Sequence, residues 1–411
     1  MSQEYTRSRP TPLRLSSARP NSCSGSPVIY LHVPFCGSFC TYCDFYSEIC
    51  RTSQAFNEYA DAVIAEIHSR QEELSMNMSA KDAVNTLYIG GGTPSVLPLD
   101  VLARIVKAVV LSGALPPVAE LVEATSHFDE FTVEVNPEDI VEKGHEYVHG
   151  LLALGVNRIS MGIQSFDDGI LRWMNRRHDA ARAVEAFRIL RECGVRNISI
   201  DLIFGLSQLT DEIWNDTIEK ALCLVPEHIS AYQLSIEERS ALAKMVADGR
   251  YVEATDEQCR RQYDALCHCL GRSGYHHYEI SNFAKPGFEA IHNSAYWRRV
   301  PYIGLGPGAH SLVGNVRSWN SQKLPQMASN GSLTTYSRSS EVLSPEDIRV
   351  EKIMLSLRTD KGLKATELYS LADRSVIDTL LSESALEVHG TRIRIPEDHL
   401  FTSDEIIREL I

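Results

Sequence analysis

The chain has 411 residues, 44% of them hydrophobic and 23% charged, with a formal net charge of -14. That length accommodates one large barrel plus a smaller domain, and no apolar run approaches the roughly 18 residues needed to span a bilayer. The acidic balance argues against a general affinity for nucleic acid, which rests on clustered Lys and Arg.

Residues 1–27 stand apart from the rest. They carry Arg7, Arg9, Arg14 and Arg19 against the single acid Glu4, with seven serines and four prolines. Such a segment is expected to be a disordered extension. Its composition also fits an organelle transit peptide, although Pro10, Pro12 and Pro20 break any amphipathic helix. The expected location is therefore cytoplasmic, with an organellar one if the segment is a transit peptide.

From Val28 onward, short β-rich runs alternate with helical patterns. The runs are 28–33, 86–89, 131–135, 158–163, 197–203 and 228–234. Between them, stretches such as 181–193 and 212–224 place apolar residues at three- and four-residue spacing. Gly155 and Gly194 stand where a left-handed residue would cap a helix before the next strand. Strand-helix alternation with short connections predicts a parallel sheet. Six units are fewer than a closed eight-unit barrel requires.

Directly after the first run comes Cys36, then Cys40 and Cys43, a C-x3-C-x2-C spacing that lets three thiolates converge from one loop. Iron–sulfur cubanes normally take four thiolates, so three leave one iron open. Zinc is the alternative, yet zinc modules usually pair two C-x2-C units or add histidines, and no second knuckle appears. The other seven of the ten cysteines are scattered, which suits free thiols in a reducing compartment. Cys267-His268-Cys269 looks metal-like, but adjacent residues on a helix do not share a face.

Further polar residues stand at or just beyond the ends of the later runs. Gly90-Gly91-Gly92-Thr93-Pro94 follows the second; its glycines either make a tight turn or let a ligand approach the backbone. Glu134 belongs to the third run and, by alternation, faces the same way as Thr132 and Asn136. Gln164, Arg176 and Asp201 continue the pattern, in a region where a barrel otherwise packs branched apolar side chains.

With an aromatic residue before its last cysteine, the C-x3-C-x2-C run resembles the signature of the radical S-adenosylmethionine (radical SAM) enzymes. The resemblance extends over most of the chain and implies a partial (β/α)6 barrel over 28–250, with a smaller α+β domain over 251–411. It also implies a [4Fe-4S] cluster on Cys36, Cys40 and Cys43, whose open iron chelates SAM and whose reduced state cleaves SAM to a radical. An electron donor such as flavodoxin or ferredoxin follows.

Within that superfamily, the polar set resembles the SAM site of the oxygen-independent coproporphyrinogen III oxidase family. On this resemblance Gly91, Gly92 and Thr93 lie at the methionine amino group, while Glu134, Gln164, Arg176 and Asp201 contact the ribose and methionine parts. Tyr30 is expected near the cluster, Tyr42 against adenine, and Ser235 at a weaker contact. Carboxylates accept from ribose hydroxyls, and Arg pairs with a carboxylate through parallel hydrogen bonds.

Two features separate the branches of that family. The decarboxylases carry a further cysteine where this chain has Phe45. A heme-chaperone branch carries H-N-x-x-Y-W, and here 292–297 reads His-Asn-Ser-Ala-Tyr-Trp. The resemblance therefore implies a heme chaperone that binds heme at His292 and passes it to hemoprotein acceptors; the alternative is a coproporphyrinogen III dehydrogenase. Read from residues alone, a histidine flanked by aromatics is more often a hydrogen-bonded structural residue than an axial ligand, although His is a common heme ligand; His310, Cys267 and Cys269 are other candidates for heme contact. Ser207, where the family usually has Pro, is expected to alter only loop stiffness.

Overall fold

The computed structural model describes residues 28–50, 52–75, 84–114, 128–323 and 335–411; the extension expected over 1–27 lies outside them. Six parallel strands follow one another across the sheet in sequence order: β1 (Val28–Val33), β2 (Thr86–Gly91), β3 (Glu130–Val135), β4 (Arg158–Gln164), β5 (Ile198–Phe204) and β6 (His228–Gln233). They coincide with the six predicted runs to within two residues. Helices between them include α1 (Ser53–Ser69), α2 (Leu99–Val109), α3 (Pro137–Ala153), α4 (Ala180–Glu192) and α5 (Asp211–Leu224). Gly155 and Gly194 have φ of 91° and 88°, the left-handed conformation expected of them after α3 and α4.

Alternation along the strands divides the sheet into two chemically distinct faces. One face carries Ile29, Leu31, Ile89, Phe131, Val133, Met161, Ile200 and Leu202, all buried in one continuous apolar cluster. The other carries Tyr30, Tyr88, Glu134, Ser160, Asp201 and Ser230, aligned by the registers Tyr30 with Tyr88, Glu134 with Ser160 and Asp201 with Ser230. The helices cover the first face, which leaves the second for a ligand.

The six strands do not close on themselves, because later strands occupy both edges. Beyond α6 (Asp256–Arg272) come β7 (His276–Glu279), β8 (Asn282–Ala284), α7 (Ile291–Trp297), β9 (Tyr302–Leu305), β10 (His310–Val313), β11 (Val316–Asn320) and β12 (Arg338–Val342). The full order is β12-β11-β10-β9-β1-β2-β3-β4-β5-β6-β8-β7. β9 pairs parallel with β1, and β8 pairs antiparallel with β6. An open edge is a template for aggregation, and here the second half of the chain covers both edges of the first.

The β9 edge is pinned by a buried polar cluster on α1. Glu66 accepts from the Gly306 amide (2.8 Å) and from Asn320 Nδ2 (2.7 Å), while Arg70 pairs with Glu66 (3.0 Å) and donates to the Gly304 carbonyl (2.6 Å). After β12, α8 (Pro345–Leu357) begins with a capping box between Ser344 and Asp347. A three-stranded ribbon and three short helices follow, and their apolar residues Leu368, Ile377, Ile393 and Ile407 join the same apolar cluster as the sheet.

Candidate functional site

Two adjoining cavities open on the polar side. The first, about 970 Å³, is lined by Cys36, Cys40 and Cys43 from the loop after β1, together with Tyr42, Gly91, Gly92, Thr93, Glu134, Gln164, Arg176, Asp201 and Ser235. It gathers nearly every residue picked out for cluster and SAM, because most of them stand at or near the C-terminal ends of parallel strands, while Asp201 points in from mid-strand and Arg176 from the loop after the helix Asp168–Trp173.

Two of the three sulfurs already face donors. Thr93 Oγ1 donates to Cys36 Sγ (3.5 Å), and Arg176 Nη1 donates to Cys40 Sγ (3.4 Å). Burial pushes the Cys36 thiol up and Cys43 up to about 11, so a bound metal is what would hold them as thiolates. Three thiols on one loop with a hydroxyl and a guanidinium facing them is a donor set that fits an iron–sulfur cluster with one open iron.

The glycines earn their place sterically. A Cβ on Gly92 would lie 2.7 Å from the Phe35 carbonyl oxygen and 2.9 Å from that of Val33, and a Cβ on Gly90 would lie 2.9 Å from the Glu134 carboxylate. The Gly-rich turn thus brings β2 against the cysteine loop, with the Gly91 amide donating to Glu134 Oε2 (3.0 Å).

Glu134 also accepts from the Tyr88 hydroxyl (2.7 Å). Burial raises its pKa to about 7, against the pull of those two donors and with the Asp201 charge adding to the rise. Asp201 accepts from Ser160 Oγ (3.3 Å), and burial lifts it to about 6. Two buried carboxylates with raised pKa values on one cavity wall, with no cation paired to either in a salt bridge among the described residues, make this wall a candidate ligand site.

Arg176 donates through Nη2 to Asn136 Oδ1 and to the Gly162 carbonyl, both at 2.7 Å, while its Nε is buried without a partner. Gln164 adopts φ of 70°, a left-handed conformation that costs a non-glycine residue about 1 to 3 kcal/mol. An unpaired guanidinium donor and a strained amide on one wall both fit a bound amino acid carboxylate.

Tyr30 lies one ring away from the first cavity, 6.1 Å between centroids from Tyr88, which borders both cavities. Tyr30 sits mid-strand in β1, hydrogen-bonded to His32 Nδ1 (3.1 Å), and lines the second cavity instead of the cysteine-lined one. Ser207 is a correction: its backbone N–H donates to the Tyr251 hydroxyl (3.2 Å), a bond that a proline could not make.

The second cavity, about 700 Å³, lies between β1, α7, β10 and α8, and shares Asp44, Phe45, Tyr88, Arg239 and Asn293 with the first. Phe45, at the position of the missing cysteine, is 68% exposed on the shared wall. His292 lines this cavity from α7 but is buried, with Nδ1 bonded to Thr86 Oγ1 (2.8 Å) and Nε2 to the Tyr296 hydroxyl (2.9 Å). Burial lowers its pKa to about 3, so the ring is neutral. Both nitrogens are engaged, and an iron bond would require one of these hydrogen bonds to break.

His310 lines the same cavity, exposed and stacked on Trp319 at 5.8 Å between ring centroids. Arg299 and Arg317 both pair with Glu351 at one end, and Arg299 Nη2 is buried without a partner. Sequence reading missed Arg299, Arg317 and Met354, which come from three separate segments and carry no local motif.

Residues 30–221 match the Radical SAM superfamily. Over 341 residues the chain is 34% identical to the heme chaperone HemW of Bacillus subtilis, covering 81% of this chain and 84% of that one. Over 414 residues it is 30% identical to the heme chaperone HemW of Mycobacterium tuberculosis H37Rv, covering 98% and 99%. Its fold is that of the coproporphyrinogen III oxidase HemN of Escherichia coli, a radical SAM enzyme, with a TM-score of 0.73 at 21% identity over 94% of this chain and 90% of that one. The three converging thiols, the polar strand ends and the likeness along nearly the whole chain agree: the protein belongs to the radical SAM superfamily, in the family of the heme chaperone HemW.

Proposed function

We propose that the protein is a heme chaperone: it holds heme in the second cavity, beside a [4Fe-4S] cluster and SAM in the first, and hands it to hemoprotein acceptors. The observation that carries this reading is the second cavity itself. It pairs aromatic and aliphatic walls, Tyr30, Tyr302, Leu312 and Met354, with a cationic end at Arg299 and Arg317. A flat apolar macrocycle bearing carboxylates calls for that combination: apolar walls for the ring and guanidinium forks for its carboxylates. Arg299 Nη2, buried and unpaired, is a donor already in place.

In this reading His310 offers the iron an accessible imidazole, since the partial burial of its ring lowers its pKa and keeps a nitrogen lone pair available. His292 acts from behind, fixing Tyr296 at the cavity wall through its Nε2 bond. Tyr88 and Asn293, on the wall common to both cavities, would be where the states of the two sites meet.

In the first cavity Cys36, Cys40 and Cys43 would hold the cluster, and Arg176, Glu134 and Asp201 would hold SAM by charge-assisted hydrogen bonds. When bound, the cluster supplies one-electron chemistry. Arg176 orients through its bonds to Cys40, Asn136 and Gly162, which tie cluster loop, β3 and β4 into one frame. The nine described cysteines are all free thiols, which supports a reducing, cytoplasmic setting, and no described helix is long and apolar enough to cross a membrane.

Anaerobic reconstitution followed by heme titration tests the reading. One equivalent of heme bound by the wild type, and at least about tenfold weaker binding by Arg299→Ala and His310→Ala, is the expected result. SAM-dependent conversion of coproporphyrinogen III with no stoichiometric heme binding would make the protein a dehydrogenase instead.

A further inference from the structure

At the opposite edge of the sheet from β12, away from both cavities, three potential ligands converge from distant parts of the chain. Cys267 comes from α6, His277 from β7, and Glu397 from the start of the 3-10 turn Glu397–Thr402. Their sulfur, nitrogen and oxygen atoms lie within 4.8 Å of one another. Cys267 Sγ is 3.9 Å from His277 Nδ1, and Glu397 Oε1 is 3.2 Å from the same nitrogen.

That both groups address one nitrogen is the informative point. A ring nitrogen carries at most one hydrogen, so it cannot serve two acceptors well. A nucleophile–base–acid triad would instead use opposite ring nitrogens. The far nitrogen, Nε2, faces the Ile280 carbonyl and the Tyr263 hydroxyl, each at 3.4 Å. The carboxylate 3.2 Å from Nδ1 is the nearer and stronger acceptor, which favours the hydrogen there; the Ile280 carbonyl beside Nε2 would accept that hydrogen once a metal ion takes Nδ1. Sulfur, nitrogen and oxygen atoms thus converge on one region, and a metal ion would displace the hydrogens that the Cys267 thiol and the ring carry there.

We propose that Cys267, His277 and Glu397 form a metal site for a divalent transition ion of the zinc type, with one position open to water. Metal–ligand bonds of about 2.0 to 2.3 Å in a tetrahedron put ligand atoms roughly 3.3 to 3.6 Å apart. The observed separations of 3.2 and 3.9 Å bracket that span, and the third, from sulfur to carboxylate oxygen, lies within 4.8 Å and is closed by rotation of the exposed Glu397 side chain. Thiolate, imidazole and carboxylate together suit zinc over magnesium or calcium, which take oxygen ligands. His277 is held for the purpose: its ring stacks on Phe283 at 4.1 Å, nearly parallel at 16°. An ion here would tie the C-terminal segment to α6 and the sheet edge, a cross-link between sequence-distant elements.

The test uses the full chain with its cluster reconstituted, so that Cys36, Cys40 and Cys43 are already occupied. Zinc is titrated against a chromophoric chelator, bound zinc is measured by elemental analysis, and thermal midpoints are recorded with and without zinc. The expected result is one equivalent per chain with a raised midpoint, and at least about tenfold weaker zinc binding in Cys267→Ser and Glu397→Ala with iron content unchanged. Should Cys267→Ser fail to fold, Glu397→Ala carries the test, because that side chain is 63% exposed. No zinc retained by the wild type, or equal zinc in wild type and Glu397→Ala, overturns the proposal.

Discussion

At Glu134 burial outweighs the hydrogen bonds that oppose it. Burial drives its pKa up, the Tyr88 hydroxyl and Gly91 amide draw it down, and the balance falls at about 7. A carboxylate with a raised pKa is ionised above that value and neutral below it. Its capacity to accept hydrogen bonds from SAM is therefore lost as pH falls through about 7. We expect SAM affinity, followed by equilibrium binding, to drop about five- to tenfold across that window, the difference between a charge-assisted hydrogen bond and a neutral one. Glu134→Gln should bind weakly at every pH and show a flat profile there. His292 makes a contrasting case: with both nitrogens bonded and the ring buried, His292→Ala leaves a cavity and unpaired hydroxyls on Thr86 and Tyr296. A loss of about 2 to 4 kcal/mol in urea unfolding is expected, with cluster absorbance retained in the folded fraction.

At the scale of elements, two polar clusters lock helices to the sheet. At the C-terminal end of α1, Glu66 and the capping residue Arg70 are both buried and bind the end of β9 at Gly304 and Gly306. Removing one partner strands a buried charge, so Arg70→Met should cost about 3 to 5 kcal/mol, read as a lowered urea midpoint at unchanged m-value. On α3, burial pushes Glu138 up, but its bond to His178 and the Arg176 charge outweigh that and hold it at about 2. A depressed carboxylate contributes stability that is fully present above its unfolded value of about 4.3 and is lost as pH falls toward about 2. In Glu138→Gln that segment of the stability–pH curve should flatten, as acid titration followed by circular dichroism would show.

For the whole molecule, the arrangement of two adjoining but distinct cavities sets the expectation. Cys36→Ser should abolish the absorbance of the cluster near 400 nm while heme still titrates to one equivalent, because Cys36 lines only the first cavity. Loss of both together would mean that the cluster loop organises the second cavity as well. The sheet explains how two sites coexist: its edges are covered by strands from the second half of the chain, and the same return passage delivers α7, β10 and α8 beside the mouth of the first cavity.

Much of this was legible in the residues alone. The six strands, the capping glycines Gly155 and Gly194, and the gathering of Cys36, Cys40, Cys43, Glu134, Gln164, Arg176 and Asp201 follow from local patterns, because a parallel βα repeat puts every strand end on one rim whatever the details of packing. What the strands on the two sheet edges would be was not legible, since β8 and β9 are short and their pairing depends on partners over a hundred residues away in the case of β9 and β1. That Tyr30 lines the second cavity was not legible for a related reason: alternation gives the face of a strand, not the depth along it at which a second cavity opens. The engagement of both His292 nitrogens, the unpaired Nη2 of Arg299 and the convergence of Cys267, His277 and Glu397 were decided only by tertiary structure, because hydrogen-bond partners and ligand atoms are chosen by through-space packing that no sequence spacing records.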